Sequence, residues 1–345
     1  MKSSHRKKIV ALAAIPLFAL SAIGCSTGET GPGESTGAPE KIDLVLAHSF
    51  GEAHAHHRCG VQVIADRINE QEDLGMNIEV FANSQLGGDI DRVTSVSQGD
   101  IDIDLQGPSG LSGSYAPVGM FDTAYAFESP DHIFRFLDGE ESQGIKDGLL
   151  KELNLRTITG FYFGDRTFSA NTPIRTPDDL KGIRIRFPNS PAYLANAESM
   201  GAEVVAVAFE ELFLALQQGI ADGQENPIPT IKDMSLDEVQ KFVSLNRHQV
   251  GMQLLVFNED SWKKLSTKQQ DAFTKIATEV RAENRACIES DVQTIIDDWK
   301  KSGKVTVVED VDRQAFIDKA EKFWLQKYTG AELELYKTIR NMPKK

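Results

Sequence analysis

The sequence predicts an α/β protein made of two similar lobes, with a long C-terminal helix that reaches from one lobe to the other. Two observations predict the lobes. A strand–helix–glycine–strand pattern occurs twice, about 120 residues apart, and the folded part of about 305 residues suffices for two domains of ordinary size. The third observation concerns residues 267–302, whose apolar positions fit one helix of about 50 Å, longer than one small lobe needs. Two lobes create a cleft, and such clefts commonly hold small ligands.

The second copy of the pattern occupies residues 209–227. Apolar residues at the spacing i, i+3, i+4 and i+7 line one face of its predicted helix: Phe209, Leu212, Phe213 and Leu216. Gly219 stands where a left-handed residue would end that helix. The polar run 224–226 precedes Pro227, which cannot extend a β-ladder, so these polar side chains are predicted to stand at a strand end.

The first copy covers residues 93–106 in the same order. Aligning the copies places Val93 on Phe213, Val96 on Leu216, Gln98–Gly99 on Gln218–Gly219, Asp102 on Asp222 and Gln106 on Asn226. Each copy follows an apolar segment, 78–81 or 204–207, that reads as a strand. The repetition favours two α/β lobes, although a chance recurrence of a common helix-to-strand turn remains an alternative on this evidence.

The other helices and strands are predicted from the periodicity of apolar residues and from the glycine and proline residues that end each element. Predicted strands cover residues 42–47, 78–81, 183–187, 204–207 and 305–308. Predicted helices cover residues 53–70, 89–98, 267–302 and a final segment from about residue 312.

Residues 1–24 have the composition of a signal peptide. Four basic residues precede an apolar run, 9–23, that is too short to span a bilayer comfortably. Small residues then lead into Cys25, an ending that resembles the lipobox of bacterial lipoproteins, although Ala22 stands where leucine is usual. The resemblance implies a lipidated Cys25, which would anchor the protein to the membrane outer face or in the periplasm. The alternative is ordinary secretion with cleavage nearby. Residues 25–40 then form a flexible tether without large apolar residues.

The charge balance excludes a nucleic-acid-binding role. The net charge is −14, and it becomes −18 without residues 1–24, which carry four basic and no acidic residues. A nucleic-acid binder would normally present a basic surface. An anionic ligand must therefore be held by local cations against an unfavourable overall field, and arginines in the cleft are the residues to look for.

Two cysteines besides Cys25 are left to explain. A disulfide between Cys59 and Cys287 could persist outside the membrane. Their spacing is not typical of a metal site, and neither has an activating neighbourhood. The sequence favours two buried thiols and leaves the disulfide as the alternative.

Four of the seven histidines lie close together after the first predicted strand: His48, His54, His56 and His57. His54 and His57 could converge on a helix, but no carboxylate or second histidine pair completes a metal site. The favoured interpretation is a solvated first turn, with no metal bound.

Arginines mark two polar interruptions of apolar sequence. The predicted strand 183–187 alternates strictly, which places Arg184 and Arg186 on one face. Arg166 interrupts the aromatic run 161–168. A solvated face and a binding site are about equally consistent with this pattern.

Several separate motifs occur in an order that resembles one known family. They are N-S-Q-L-G-G at residues 83–88, P-I-R-T-P-D-D-L-K-G-I-R-I-R at 173–186 and A-L-Q-Q-G-I-A-D-G-Q-E-N-P at 215–227. The chain from Lys41 to the C-terminal helices is similar to the substrate-binding proteins of tripartite ATP-independent periplasmic (TRAP) transporters, of the sialic acid and dicarboxylate type.

The resemblance implies a two-lobed, periplasmic-binding-protein-like fold with a ligand cleft between the lobes. Lobe I would comprise residues 41–163 and about 252–291, and lobe II would comprise residues 164–251 and about 292–345.

The resemblance also implies a ligand-binding site. Arg186 would form the main salt bridge to a ligand carboxylate, which suits a planar guanidinium that donates two parallel hydrogen bonds. Asn226 would hydrogen-bond the same group. The other implied contacts are Arg166, Phe209, Asn189 and, from lobe I, Ser49 and Gln106. The family often has N-G-x-R where this chain has Phe163–Gly164–Asp165–Arg166, so Asp165 is expected to neutralise Arg166 in part.

The predicted function is that of a monomeric transport receptor, which captures a carboxylate ligand without a cofactor and delivers it to a TRAP permease. Polar side chains in lobe I favour a hydroxylated acid such as a uronate over a dicarboxylate. A ligand-sensing module with a signalling partner is one alternative. A secreted enzyme is the other, but no Ser/His/Asp nucleophile setting stands out in the sequence.

Overall fold

The computed structural model describes residues 41–343, which belong to one compact unit. The predicted signal segment, Cys25 and the tether lie outside the described residues. One mixed sheet organises this part of the chain, in the strand order β2-β1-β3-β8-β4-β7-β5-β6, with β9 paired to β8. Between residues 41 and 343, no helix is long and apolar enough to cross a membrane.

The strands of the sheet are β1 (Ile42–Ala47), β2 (Met76–Phe81), β3 (Ile103–Gln106), β4 (Leu155–Ala170), β5 (Arg184–Phe187), β6 (Glu203–Ala206), β7 (Gly223–Pro227), β8 (Phe242–Asn258) and β9 (Thr306–Val308). The α-helices are α1 (Gln62–Asn69), α2 (Asp89–Gln98), α3 (Pro108–Ser112), α4 (Pro130–Asp138), α5 (Gln143–Leu153), α6 (Pro191–Met200), α7 (Leu212–Gln217), α8 (Ile228–Asp233), α9 (Glu259–Lys264), α10 (Thr267–Ser302), α11 (Arg313–Lys327) and α12 (Gly330–Asn341). A π-helical turn (His57–Val61) precedes α1, and 3₁₀ turns include Ala116–Asp122 and Pro177–Leu180.

The two copies of the sequence pattern form equivalent structures. In lobe I the strand order is β2-β1-β3, and in lobe II it is β6-β5-β7, with all these neighbours parallel. Gly99 and Gly219 end α2 and α7 at φ values of 84° and 69°. The carboxylate of Asp102 accepts the backbone N–H of Val45 in β1 at 2.8 Å, and that of Asp222 accepts the N–H of Arg184 in β5 at 2.9 Å. The repeat is therefore structural, and the chance interpretation is wrong.

Two long antiparallel strands join the lobes. β8 pairs with β3 at one end, and β4 pairs with β7 at the other, while β4 and β8 pair with each other. The sequence indicated only an aromatic run inside β4 and gave no signal for β8. Most residues of β8 are buried, so the strand lacks the apolar–polar alternation on which strand prediction depends. The residue boundaries predicted for the two lobes stay a prediction.

The long helix α10 spans both lobes as predicted. Its first half packs Phe273 and Val280 into the apolar cluster of lobe I, and its second half packs Ile296 and Trp299 into the cluster beneath α7 and α8. Ser266 and Gln269 form a capping box at its start. The single final helix predicted from residue 312 is instead two helices, because the chain leaves helical geometry between α11 and α12.

A disulfide joins Cys59 to Cys287, with 6.5 Å between the Cα atoms. The favoured interpretation of two thiols is therefore wrong. The bond connects the turn before α1 to the middle of α10, 228 residues apart, a proximity that only the tertiary structure creates.

The histidine segment is buried, so its interpretation as a solvated turn is also wrong. His48, His54 and His56 are at most 3 % exposed and pack around Phe50. Burial lowers the pKa of His48 and of His56 to about 3, which keeps both rings neutral at physiological pH. Within the described range, no group of His, Cys, Asp or Glu side chains is arranged to hold a metal ion. The predicted helix 53–70 is regular only in α1.

Candidate functional site

A cavity of about 530 Å³ lies between the two lobes. Lobe I contributes the end of β1, the start of α2 and the loop after β3. Lobe II contributes the ends of β5 and β7 and the segment 206–211 after β6. The site therefore lies where strands of both repeated units end, a position typical of ligand sites in α/β proteins. Six of the seven predicted site residues line this cavity: Ser49, Arg166, Arg186, Asn189, Phe209 and Asn226.

Arg186 lines the cavity and has no carboxylate within hydrogen-bonding distance among the described residues. The residue is 1 % exposed, and its Nε and Nη2 both donate to the carbonyl oxygen of Val207, at 2.9 and 2.7 Å. Its Nη1 is buried and has no hydrogen-bond partner within residues 41–343. Burial lowers the pKa of this guanidinium to about 10, opposed by the charge of Glu225 and reinforced by that of Arg166, so Arg186 is still charged at neutral pH. A carboxylate in the cavity would satisfy both the charge and Nη1.

Arg166 differs from Arg186 because it already has a carboxylate partner. Its Nε and Nη2 donate to the two carboxylate oxygens of Glu225, at 2.5 and 2.7 Å, and the pair is fully buried. Burial by itself would raise the pKa of Glu225, but the adjacent Arg166 charge holds it below its usual value. His248 also contacts Glu225, at 3.1 Å. Glu225 therefore neutralises Arg166.

The expected neutralisation of Arg166 by Asp165 does not occur. Asp165 accepts a hydrogen bond from the hydroxyl of Tyr162 at 2.9 Å and lies 4.0 Å from Arg247. Adjacent residues on a strand point to opposite faces, so Asp165 turns away from the cavity when Arg166 faces it. The pairing of β4 with β7 determines that Glu225 is the partner of Arg166, because it places Arg166 beside the strand that carries Glu225.

The remaining predicted contacts in lobe II surround Arg186. Asn226 is 1 % exposed at the end of β7, and its amide donates to Gln224 Oε1 at 2.7 Å. Phe209 approaches Phe50 of lobe I, with 6.3 Å between the ring centroids. Asn189 is exposed at the rim. The structure thus brings cationic, amide and aromatic side chains together around one volume.

Lobe I holds its polar residues in a network of their own. Arg92, fully buried, donates to Asp104 at 3.0 Å, to Asp89 at 3.0 Å and to the hydroxyl of Ser49 at 2.8 Å. Gln106 does not belong to the cavity lining. Its amide donates to the backbone oxygen of Asp89 at 2.9 Å and to Asp104 at 3.2 Å. Gln106 therefore supports the start of α2, and its predicted ligand contact has no geometric support here.

Sequence reasoning missed several lining residues, notably Asp122, Tyr193 and Gln253. The Tyr193 ring lies 4.8 Å from the guanidinium of Arg166. Asp122 is 1 % exposed, and the sequence contained a signal for it, because it is a lone acidic residue inside the apolar run 118–127. Gln253 lies in β8, which gave no signal.

The comparison with known families decides what kind of protein this geometry belongs to. The model of the family described as bacterial extracellular solute-binding protein, family 7, matches residues 46–330. The chain belongs to this family. A family of solute-binding proteins fits a cavity that lies between lobes and presents an unpaired cation, and the resemblance to TRAP substrate-binding proteins is confirmed.

Characterised relatives agree with this assignment. The chain is 30% identical over 271 residues to the sialic acid-binding periplasmic protein of Vibrio cholerae, covering 78% of this chain and 83% of the relative. It is 31% identical over 285 residues to the 2,3-diketo-L-gulonate-binding periplasmic protein of Escherichia coli, covering 82% and 86%. A solved TRAP periplasmic solute-binding protein from Roseobacter denitrificans, with bound L-galactonate, has a TM-score of 0.80 and 28% identity, covering 87% of this chain and 99% of that one.

Proposed function

We propose that this protein is an extracytoplasmic receptor that captures an organic acid, such as a uronate or another sugar acid, and delivers it to a TRAP-type membrane permease. The receptor would act as a monomer, anchored through a lipidated Cys25, and would carry out no chemical reaction on its ligand. Relatives that bind sialic acid, diketogulonate or galactonate support the ligand class.

The observation that carries the proposal is the buried Arg186 with its unpartnered Nη1. A charged group held in a cavity without a counter-charge is costly in the ligand-free protein, and the cost is relieved when an anion binds. Arg166 cannot substitute for it, because Glu225 already occupies that guanidinium. Asn226 and the ring of Phe209 would then orient the carboxylate and cover the apolar side of the ligand.

The proposal is tested by thermal-shift and calorimetric titration of residues 41–345 with D-glucuronate, L-galactonate, sialic acid, pantoate and succinate. A ligand at 100 times its Kd stabilises the folded state by about 2.7 kcal/mol. Arg186→Ala is expected to weaken the binding of any acid that the wild type binds by about 2–5 kcal/mol, because the ligand carboxylate loses its buried partner. Arg186→Lys also weakens binding, since two parallel hydrogen bonds are lost.

Arg184→Ala is the matched control. Arg184 lies on the same strand, but it is half exposed and pairs with Asp222 away from the cavity. Its removal is expected to leave ligand affinity unchanged. Near-native affinity in Arg186→Ala, or a wild type that binds no acid of the panel, would refute the proposal.

A further inference from the structure

We propose that Asp122 is a second ligand-recognition residue of the cavity, and that it restricts the ligand to monocarboxylic acids that carry hydroxyl groups. The inference rests on the proposed function, because it concerns the same cavity and assumes that Arg186 holds the carboxylate.

Asp122 lines the cavity and has a buried carboxylate oxygen, Oδ2, without a hydrogen-bond partner in the part of the chain that the structure describes. The side chain stands at the end of the 3₁₀ turn Ala116–Asp122 and lines the cavity. Its Oδ1 accepts a hydrogen bond from Gln249 Nε2 at 2.7 Å. No donor among the described residues reaches the buried Oδ2 with hydrogen-bond geometry, although the backbone N–H of Ser109 is near enough to lower the pKa of the carboxyl group. A buried carboxylate oxygen without a donor costs free energy, so this atom calls for a donor that the ligand can supply.

The carboxyl group is fixed in this position by its neighbours. Gln249 Nε2 also lies 3.1 Å from the hydroxyl of Tyr193, and Asn196 Nδ2 donates to the backbone oxygen of Asp122 at 2.7 Å. With side chain and backbone both held, Asp122 cannot rotate out to solvent when a ligand enters. Its Oδ2 is therefore a preorganised hydrogen-bonding position, suited to a hydroxyl group.

The charges of the cavity select against a second carboxylate. Among the lining residues that the structure describes, the cations are Arg166 and Arg186. Glu225 neutralises Arg166, and the carboxylate of the ligand pairs with Arg186. Burial raises the pKa of Asp122 to about 7, opposed by Arg166 and reinforced by Glu225, so near neutral pH its carboxyl group can accept from or donate to a hydroxyl. A second carboxylate on the ligand would find no free cation in this lining, which also contains the acidic residues Asp89, Asp91, Glu210 and Glu211.

The test compares four acids on the full chain and its variants: L-galactonate and D-glucuronate, which carry hydroxyl groups, hexanoate, which has none, and succinate, which has two carboxylates. The wild type is expected to prefer the two hydroxy acids. Asp122→Asn keeps the shape of the side chain, and it is expected to weaken the binding of the hydroxy acids roughly 10- to 100-fold. The same variant leaves the affinity for hexanoate unchanged and does not weaken succinate. Asp100→Asn, an exposed change of the same charge outside the cavity, is the control.

The outcomes separate this inference from the proposed function. Unchanged affinity for both hydroxy acids in Asp122→Asn, together with their loss in Arg186→Ala, overturns the role of Asp122 and leaves the receptor function standing. An equal loss for all four acids assigns Asp122 to cavity packing and overturns its role in selection. A wild type that prefers succinate overturns the charge argument. A wild type that binds none of the acids overturns the proposed function itself.

Discussion

Replacing Arg186 with methionine is expected to change ligand-free stability and ligand affinity in opposite directions. The guanidinium is 1 % exposed and has no carboxylate partner within the described residues. Burial lowers its pKa from the ordinary value of an arginine to about 10, which corresponds to about 3 kcal/mol of disfavoured charge in the folded state at neutral pH. Methionine fills a similar volume without this charge. The loss of the two hydrogen bonds to Val207 offsets about 1–2 kcal/mol of the stability gained by removing the charge.

The net expectation is a ligand-free protein that is about 1–2 kcal/mol more stable, with a Tm raised by a few degrees. The same substitution weakens acid binding by about 2–5 kcal/mol, because the carboxylate loses its partner. Differential scanning calorimetry of the ligand-free variant and isothermal titration with the acid identified for the wild type measure the two effects. A variant that is less stable than the wild type while it retains affinity refutes the reasoning, since it would make Arg186 a structural residue.

Two further predictions concern buried ionisable side chains that are not among the predicted ligand contacts, Glu225 and His54. Glu225→Gln leaves Arg166 buried without a carboxylate and is expected to lower the free energy of unfolding by about 3–5 kcal/mol in urea titrations, whereas Asp222→Asn, which breaks a half-exposed pair, costs less than about 1 kcal/mol. A loss of similar size in both variants contradicts the burial argument. Because burial places the pKa of His54 well below its ordinary 6.5, the neutral ring stabilises the fold above that pH, and this contribution is lost as the pH falls. His54→Phe is therefore expected to reduce the fall in Tm between pH 7 and pH 5, and an unchanged fall would exclude His54 as a source of acid sensitivity.

The two lobes could be predicted because each is specified by local patterns that occur twice. Helix periodicity followed by a left-handed glycine and a polar strand end repeats around Gly99 and Gly219, and both glycines adopt the predicted geometry. The strict alternation of residues 183–187 placed Arg186 on a strand face, and the family motif predicted that Arg186 binds the ligand. These features depend on residues that are close in sequence, so the sequence alone suffices to specify them.

Only the tertiary structure decided which groups become partners. Glu225, and not the adjacent Asp165, neutralises Arg166, because β4 and β7 pair across 59 residues of sequence. The disulfide, the burial of the histidine segment and the joining of the lobes by β8 likewise arise from contacts between distant segments. Among the described residues, burial leaves Arg186 without a hydrogen-bonded carboxylate and one oxygen of Asp122, Oδ2, without a hydrogen-bond partner. A sequence pattern predicts which residues lie on one face of a helix or strand. The hydrogen-bond partners and the burial of those residues depend on which distant segment packs against that face.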